Sequence, residues 1–416
     1  MERYLSKDIL SLALNRHKMA FISGPRQVGK TTLAKSYLET FDQTNYHNWD
    51  ESTFRRIWTK SPNSIKDRFD LTLHKEKKLL ILDEIHKSKG WKQKLKGLYD
   101  ELAEDIHILV TGSARLNVFK KGGDSLMGRY LSFRLHPLSY GELLTEPSKQ
   151  NIKTRIASPE DWKKSLFKKQ HASLPQEPLD RLLRLSGFPE PYFANSDKIL
   201  RIWRNGRNEK IIREDLRDLS RLPELSQIEM LASLLPGKIG SPLSVQSLRE
   251  DLEVAHDTVT RWLKYLNELF YFFEIKPWTK SIPRSLKKEG KIYLYDWTEI
   301  ENEGSKFENM VACHLLKACH YWTDTGEGNF DLSYLRNKEK QEIDFLITKD
   351  GKPWLCLEAK LREKEIDNRV VNKFMSYLHC DFVQIVLPND VWRLEKSEAD
   401  TNKLIASASH VFAELP

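Results

Sequence analysis

The string Gly24-Pro-Arg-Gln-Val-Gly29-Lys30-Thr31-Thr32 constrains this chain more than any other stretch. It has the spacing G-x-x-x-x-G-K-[ST], and its flanks supply the strand and helix that this spacing requires. Before it, Met19-Ala-Phe-Ile22 is a short apolar run that reads as a buried parallel strand. After it, Leu33-Ala-Lys-Ser-Tyr-Leu38 has helical periodicity. Two glycines let the backbone wrap until successive N–H groups converge, and the helix opening at Lys30 adds its positive dipole end. Such a loop cradles phosphate. Gly24, Pro25, Arg26, Gln27, Val28, Gly29, Lys30, Thr31 and Thr32 are therefore the expected ATP-binding segment. Lys30 is placed to reach the β- and γ-phosphates, and the Thr31 hydroxyl to ligate Mg²⁺.

A matching acidic strand follows. Residues 78–86, KLLILDEIH, are an apolar run that closes on two carboxylates. Asp83 is expected to hold Mg²⁺ and Glu84 to orient or deprotonate an attacking water. A third strand, 106–110, ends at Thr111-Gly-Ser113, at the carboxyl edge where ligands bind in open α/β sheets. Thr111 or Ser113 is a candidate sensor of the γ-phosphate. Arg129, ahead of a strand at 131–135, is a candidate arginine finger, able to offset charge developing on the transferred phosphoryl group.

GPRQVGKTT, LLILDEIHK, VTGSARL, DSLMGRY and FRLHPLSYGEL, in that order, resemble the prokaryotic AAA-type P-loop ATPases near the signal-transducing branch, which carry a characteristic C-terminal domain. The resemblance implies Mg²⁺-dependent ATP hydrolysis and a helical lid over 136–225, where LSYGEL at 138–143 and LSGFPEP at 185–191 match its pattern. It leaves open whether the chain forms a ring with its finger acting in trans or works as a monomer. Residues 146–180 are polar with little periodicity and read as a mobile insertion. Arg213 and Arg217 share one face of a highly charged helix, which reads as a solvated ion-pair face, with an approach to phosphate as the alternative.

Residues 226–285 look like a winged helix. A helix over 243–252 with Ser244 as N-cap and a second over 257–269 have helix-turn-helix size and separation. A strand at 271–276 and a basic stretch at 280–291 supply the wing. Thr258, Arg261 and Lys264 would face DNA, the alternative being a module used for packing or protein contact. Over 286–416 the order is helix, three strands, helix, strand, and it carries Glu342-Ile-Asp344 and Leu357-Glu358-Ala-Lys360. This resembles the PD-(D/E)xK restriction-endonuclease-like core. Glu358 and Lys360 stand two apart on a strand, hence on one face. Asp344 and Glu358 are candidates to share Mg²⁺, Lys360 to position the nucleophilic water and Glu308 to complete the site from its helix. The expected architecture is an α/β P-loop NTPase (1–135) with a helical lid (136–225), a winged helix (226–285) and an α/β restriction-endonuclease-like domain (286–416).

Composition bears on partners. The 416 residues carry 67 Lys+Arg against 59 Asp+Glu, a net charge of +8, which invites a nucleic-acid reading. The basic surplus lies in the first 225 residues, however, while 226–285 is neutral and 286–416 is acidic. A phosphate-tracking groove wants the opposite, so DNA is the minor expectation and a protein partner for the C-terminal domain stands beside it. The 4 cysteines form no CxxC pair and read as packed thiols. The N-terminus carries charges inside its apolar stretch, unlike a signal peptide, and no apolar run approaches the ~18 residues that span a membrane. A cytoplasmic protein is expected, in which ATP hydrolysis drives or switches the attached modules. An ATP-regulated, metal-dependent DNA nuclease and a non-hydrolysing nucleotide-bound scaffold are the alternatives.

Overall fold

A computed structural model describes residues 1–112, 126–144, 156–168, 174–216, 224–279, 289–396 and 401–416. The chain divides into two compact units, Met1–His136 and Pro137–Pro416.

In the first unit, β1 (Met19–Ser23), β2 (Gln43–Asn48), β3 (Lys78–Asp83), β4 (Ile106–Gly112) and β5 (Tyr130–Arg134) form one sheet in the order β2-β3-β4-β1-β5. All its pairings are parallel. The central strands are apolar on both faces because both are covered: β1 and β3 are buried at every residue. One face packs Phe21, Leu80, Leu82, Ile108 and Val110 against Trp58, Trp91 and Leu98. Because β4 lies between β1 and β3, the carboxyl ends of all three converge on one edge, with Asp83 in register with Thr111. β2 was not foreseen from periodicity. Its sequence, QTNYHN, is polar because it is an edge strand, with one of its six residues buried.

The second unit joins helices to an eight-stranded sheet. Its strands are β6 (Phe272–Pro277), β7 (Lys291–Leu294), β8 (Phe330–Arg336), β9 (Glu342–Lys349), β10 (Lys352–Lys360), β11 (Asp381–Val386), β12 (Trp392–Lys396) and β13 (Asn402–Ser407). The order is β12-β13-β11-β10-β9-β8-β6-β7. β8, β9 and β10 pair antiparallel and β10 with β11 parallel. Helix Glu303–Asp324 precedes β8, and helix Asn368–Leu378 crosses from β10 to β11. Two helices, Val245–Leu252 and His256–Glu268, lead into the β6–β7 hairpin. Ser244 caps the first by accepting from Ser247 N. In the second, Val259, Trp262, Leu263 and Leu266 face inward, while Arg261 and Lys264 are exposed. β6 also pairs with β8, at Lys276↔Ser333, so hairpin and sheet are one structure.

The expectation of a mobile insertion over 146–180 fails for 156–168 and for 174–180, where helix Glu177–Leu185 begins and buries Leu179. Helix Pro159–Leu166, capped by Ser158, turns Trp162 and Leu166 inward. Trp162 packs on Trp322 and Trp354, and its indole N–H donates to Val411 O at 2.9 Å. Two large apolar residues four apart on one face anchor a helix that its polar composition hides. Arg213 pairs with Glu229 at 2.8 Å, as a surface ion pair; Arg217 lies outside the described residues.

The motif after the first unit, Leu138-Ser-Tyr-Gly-Glu-Leu143, is explained by packing within the second. Glu142 and Lys317 form a buried ion pair, 4% and 2% exposed. Lys317 Nζ also donates to Ser139 Oγ at 2.9 Å and Pro137 O at 3.1 Å. Gly141 lies so close to the C-terminus that a Cβ would stand 2.2 Å from Leu415 O. Lys317→Ala, which strands a buried carboxylate, is expected to cost about 3–5 kcal/mol, and Lys317→Leu with Glu142→Leu to recover most of it. Denaturant melts of wild type and the two variants check this.

Candidate functional site

The phosphate loop is built at the carboxyl end of β1. Leu135 N donates to Ser23 O at 2.8 Å, which brings the chain after β5 against Gly24. A Cβ on Gly24 would stand 2.1 Å from Leu135 O, so no side chain fits. Gly29, at φ 98°, turns the loop into helix Lys30–Ser36. Lys30 is 7% exposed and its ammonium donates to Gly24 O at 3.0 Å and Pro25 O at 2.8 Å, lying inside the loop.

Asp83 organises the opposite wall. It is 1% exposed, and its Oδ2 accepts from the Thr31 hydroxyl at 2.8 Å and the Tyr46 phenol at 2.7 Å. Its Oδ1 accepts from the Thr111 hydroxyl. Burial, then Asp83, push the Tyr46 phenol far above its usual range, so it stays a donor. Glu84 follows at φ 58°, a left-handed conformation unusual for glutamate, and its N–H donates to Thr111 O at 3.0 Å. Its carboxylate lies 3.6 Å from His86 Nε2 and 3.8 Å from Lys87 Nζ. Lys87 in turn reaches Asp50 at 2.9 Å. Hard oxygen donors beside a phosphate-binding loop suit Mg²⁺, and Thr31 and Asp83 provide them.

A second cluster lies on the sheet of the second unit. Phe345↔Leu357 pairing sets Asp344 of β9 opposite Glu358 of β10. Ala359 N donates to Asp344 Oδ2 at 3.0 Å. Lys360 Nζ stands 2.7 Å from Glu358 Oε1 and 3.8 Å from Asp344 Oδ2. Glu308 Oε1 accepts from the Tyr293 hydroxyl at 2.8 Å and lies 3.9 Å from Lys291 Nζ. Lys291, 1% exposed, also pairs with Glu342. Burial, then the charge on Asp344, push Glu308 up to about 7. Among the described residues no three His, Cys, Asp or Glu side chains are set to hold a metal. Asp344 and Glu358 converge on Lys360.

Comparison with known proteins bears on the first unit. A family described as an AAA domain matches residues 16–144. Residues 16–144 are an AAA-type P-loop domain. Two families described only as domains of unknown function match 176–298 and 303–391. The chain is 26% identical to the uncharacterized protein MJ1637 of Methanocaldococcus jannaschii over 88% of its own length and 78% of that protein's. It is 21% identical to the uncharacterized protein Rv2008c of Mycobacterium tuberculosis over 94% of its length and 81% of that protein's. Among solved structures it is similar to AMPPCP-bound DnaA from Aquifex aeolicus (15% identity, 64% of this chain and 86% of that one, TM-score 0.29). It is similar also to the Aeropyrum pernix ORC1 protein in complex with DNA (13%, 75% and 93%, TM-score 0.31).

In the AAA domain, the structure brings together Lys30, Thr31, Asp83, Glu84 and Thr111; Pro25 to Val28 form the loop and Thr32 its helix's first turn. Ser113 lies outside the described residues. Arg129 is a correction. Its carbonyl accepts from Met19 N, at the start of β1, and its guanidinium holds Asp100, with Nε at 2.6 Å. The loop follows the other end of β1, so Arg129 stands at the opposite edge of the sheet and cannot be the finger of its own site. Sequence reasoning missed Tyr46, carried by the unforeseen β2, and Arg3, a lone N-terminal base that donates to Val28 O at 2.8 Å and His136 O at 2.6 Å. In the second cluster it missed Lys291, read only as the end of a basic wing, and Tyr293 two residues on.

The Glu308 shift has a consequence for stability. A carboxyl held near 7 in the fold, but near 4.3 when unfolded, keeps its proton in the native state across the window between. Its contribution is therefore full below about pH 4 and is lost as pH rises through about 7. Glu308→Gln is expected to flatten the fall in stability between pH 5 and pH 8, read as melting temperature against pH, on the scale set by that shift.

Proposed function

We propose that this chain binds ATP at the carboxyl edge of its AAA domain and hydrolyses it, the cycle driving or switching the modules of the second unit. The observation that carries this reading is the meeting of Thr31 and Asp83 beside a loop whose lysine already lies within it. Lys30 would exchange the carbonyls of Gly24 and Pro25 for β- and γ-phosphate oxygens, with backbone N–H groups of the loop donating alongside. Thr31 and Asp83 are the residues that would hold Mg²⁺, which supplies positive charge to the phosphate oxygens. Thr111 and Tyr46 orient Asp83 by donating to it. Glu84 leaves His86 and Lys87 to accept a proton from the water that attacks the γ-phosphorus, as ADP departs. The finger that stabilises the transition state is not Arg129 of the same chain.

Lys30→Ala is expected to abolish nucleotide binding. Glu84→Gln is expected to bind ATP while losing at least about a hundredfold in kcat. Calorimetric binding and phosphate release measure both. A wild-type protein that holds nucleotide without turnover establishes the scaffold alternative instead, and wild-type turnover in Lys30→Ala overturns the assignment.

A second reading is favoured by the second cluster. The strand order of β8 to β11, with its flanking helices, supports the restriction-endonuclease-like resemblance, and Glu308, Asp344, Glu358 and Lys360 share one side of the sheet. We infer a nuclease-type carboxylate–lysine site, in which Asp344 and Glu358 converge on Lys360. The helix pair before β6 supports a winged-helix-type module, whose exposed Arg261 and Lys264 are its candidate contacts with DNA or protein. If the reading holds, wild-type protein cuts single-stranded, duplex or structured DNA with Mg²⁺ or Mn²⁺, and Asp344→Ala does not. No cutting of any of the three removes the nuclease reading and leaves the ATPase.

A further inference from the structure

We propose that Arg3 is a positioning residue of the phosphate loop, holding the Val28–Gly29 peptide so that the Gly29 N–H faces the bound phosphate. This rests on the ATP reading of the loop and adds to it a residue from outside the motif.

A peptide unit is planar and trans, so its C=O and the following N–H point in opposite directions. Whatever fixes the Val28 carbonyl therefore fixes the Gly29 N–H. Turning this peptide over changes ψ of Val28 and φ of Gly29, and glycine tolerates both signs of φ. A turned peptide would present a carbonyl oxygen to phosphate, with repulsion in place of a hydrogen bond. Arg3 opposes that turn. Its Nη1 donates to Val28 O at 2.8 Å, on the side of the peptide away from the N–H. The same group lies 3.4 Å from where a Gly29 Cβ would be.

The clamp is itself anchored. The second arm of the guanidinium, Nη2, donates to His136 O at 2.6 Å. Tyr4, 5% exposed, donates its hydroxyl to Arg134 O and accepts from His136 N at 3.1 Å. Ser6 O accepts from the Tyr37 hydroxyl, just past helix Lys30–Ser36, at 2.7 Å. The N-terminal segment is thus tied to the strand that runs against Gly24 and to the helix that follows Lys30. A planar fork that bonds two carbonyls of separate segments is a task for arginine, and lysine cannot reproduce it.

The experiment measures ADP affinity by calorimetry, KM and kcat for ATP, and hydrogen exchange of the peptide spanning 24–33 with and without ADP. Wild type, Arg3→Ala and Arg3→Lys are compared in the full chain. Arg3→Ala is expected to weaken ADP binding by between about tenfold and a hundredfold, the scale of one hydrogen bond to a charged group. KM rises with it, kcat stays within about threefold, and ADP no longer protects the 24–33 peptide as it does in wild type. Arg3→Lys falls between. A residue needed only for folding would lower the melting temperature and the active fraction, and hence kcat, with KM unchanged; that result overturns the proposal. Unchanged ADP affinity in Arg3→Ala overturns it too. If Arg3→Ala does not melt cooperatively, Arg3→Lys decides, and ADP affinity within about twofold of wild type rejects the clamp. Wild-type protein that binds neither ADP nor ATP rejects the nucleotide reading, and this one with it.

Discussion

A carboxylate removed from water is held only if donors replace the lost solvent, and at Asp83 that requirement organises the nucleotide site. Its three hydroxyl donors come from three separate elements: Thr31 from the helix after the loop, Tyr46 from the edge strand and Thr111 from the neighbouring strand. The two strand-borne donors are delivered by parallel register. Asp83 is paired with Asn48 on one side and Thr111 on the other, and β1 with β4 at Ser23↔Gly112. Slip one strand by a single residue and the hydroxyl turns to the other face. The sheet order and the site are for this reason a single constraint: β4 between β1 and β3 is what sets Thr111 beside Asp83 and the loop beside both.

How much of this was legible in the sequence depended on whether a feature was local. The loop, β1, β3 and β4 were read because fully buried strands are continuous apolar runs and the loop has a fixed spacing. Asp83 and Glu84 were read because a charge ending such a run is a sharp discontinuity. β2 was not, since QTNYHN on an edge has neither apolar run nor alternation, and Tyr46 was lost with it. Arg3 left no signal at all: its meaning lies in two carbonyls 25 and 133 residues away. Arg129 was misread because DSLMGRY has a local pattern that does not reveal which end of a parallel strand it precedes. Trp162 was hidden by the polar stretch around it.

In the second unit the readable and the hidden parts divide differently. Glu358 and Lys360 could be placed on one face from alternation alone, and Asp344 beside them from hairpin length. What alternation could not supply was the neighbouring cations. Lys291 is on a short strand that reaches the sheet only through β6, which pairs with β8 by two residues. That pairing joins the β6–β7 hairpin and the helix pair before it to the carboxylate-bearing sheet, so two modules that look separable in the chain are one folded body.

The acidity of residues 286–416 then takes on a different meaning. Glu308, Glu342, Asp344 and Glu358 meet Lys291 and Lys360 within one cluster. An acid excess spread over a surface would repel a phosphate backbone, but acids drawn into ion pairs with buried or half-buried lysines do so far less. With those charges paired, the charge a DNA strand would meet on this unit is set by its exposed residues, Arg261 and Lys264 among them, and not by the segment's sum. Net charge therefore argues less strongly against nucleic acid here than the sequence alone made it appear. The lysines argue in the opposite direction, toward restraint. An ammonium held between Asp344 and Glu358 satisfies both acids without any metal, and a divalent cation entering there has to displace it. The same arrangement that makes the cluster stable in isolation raises the barrier to using it for cleavage.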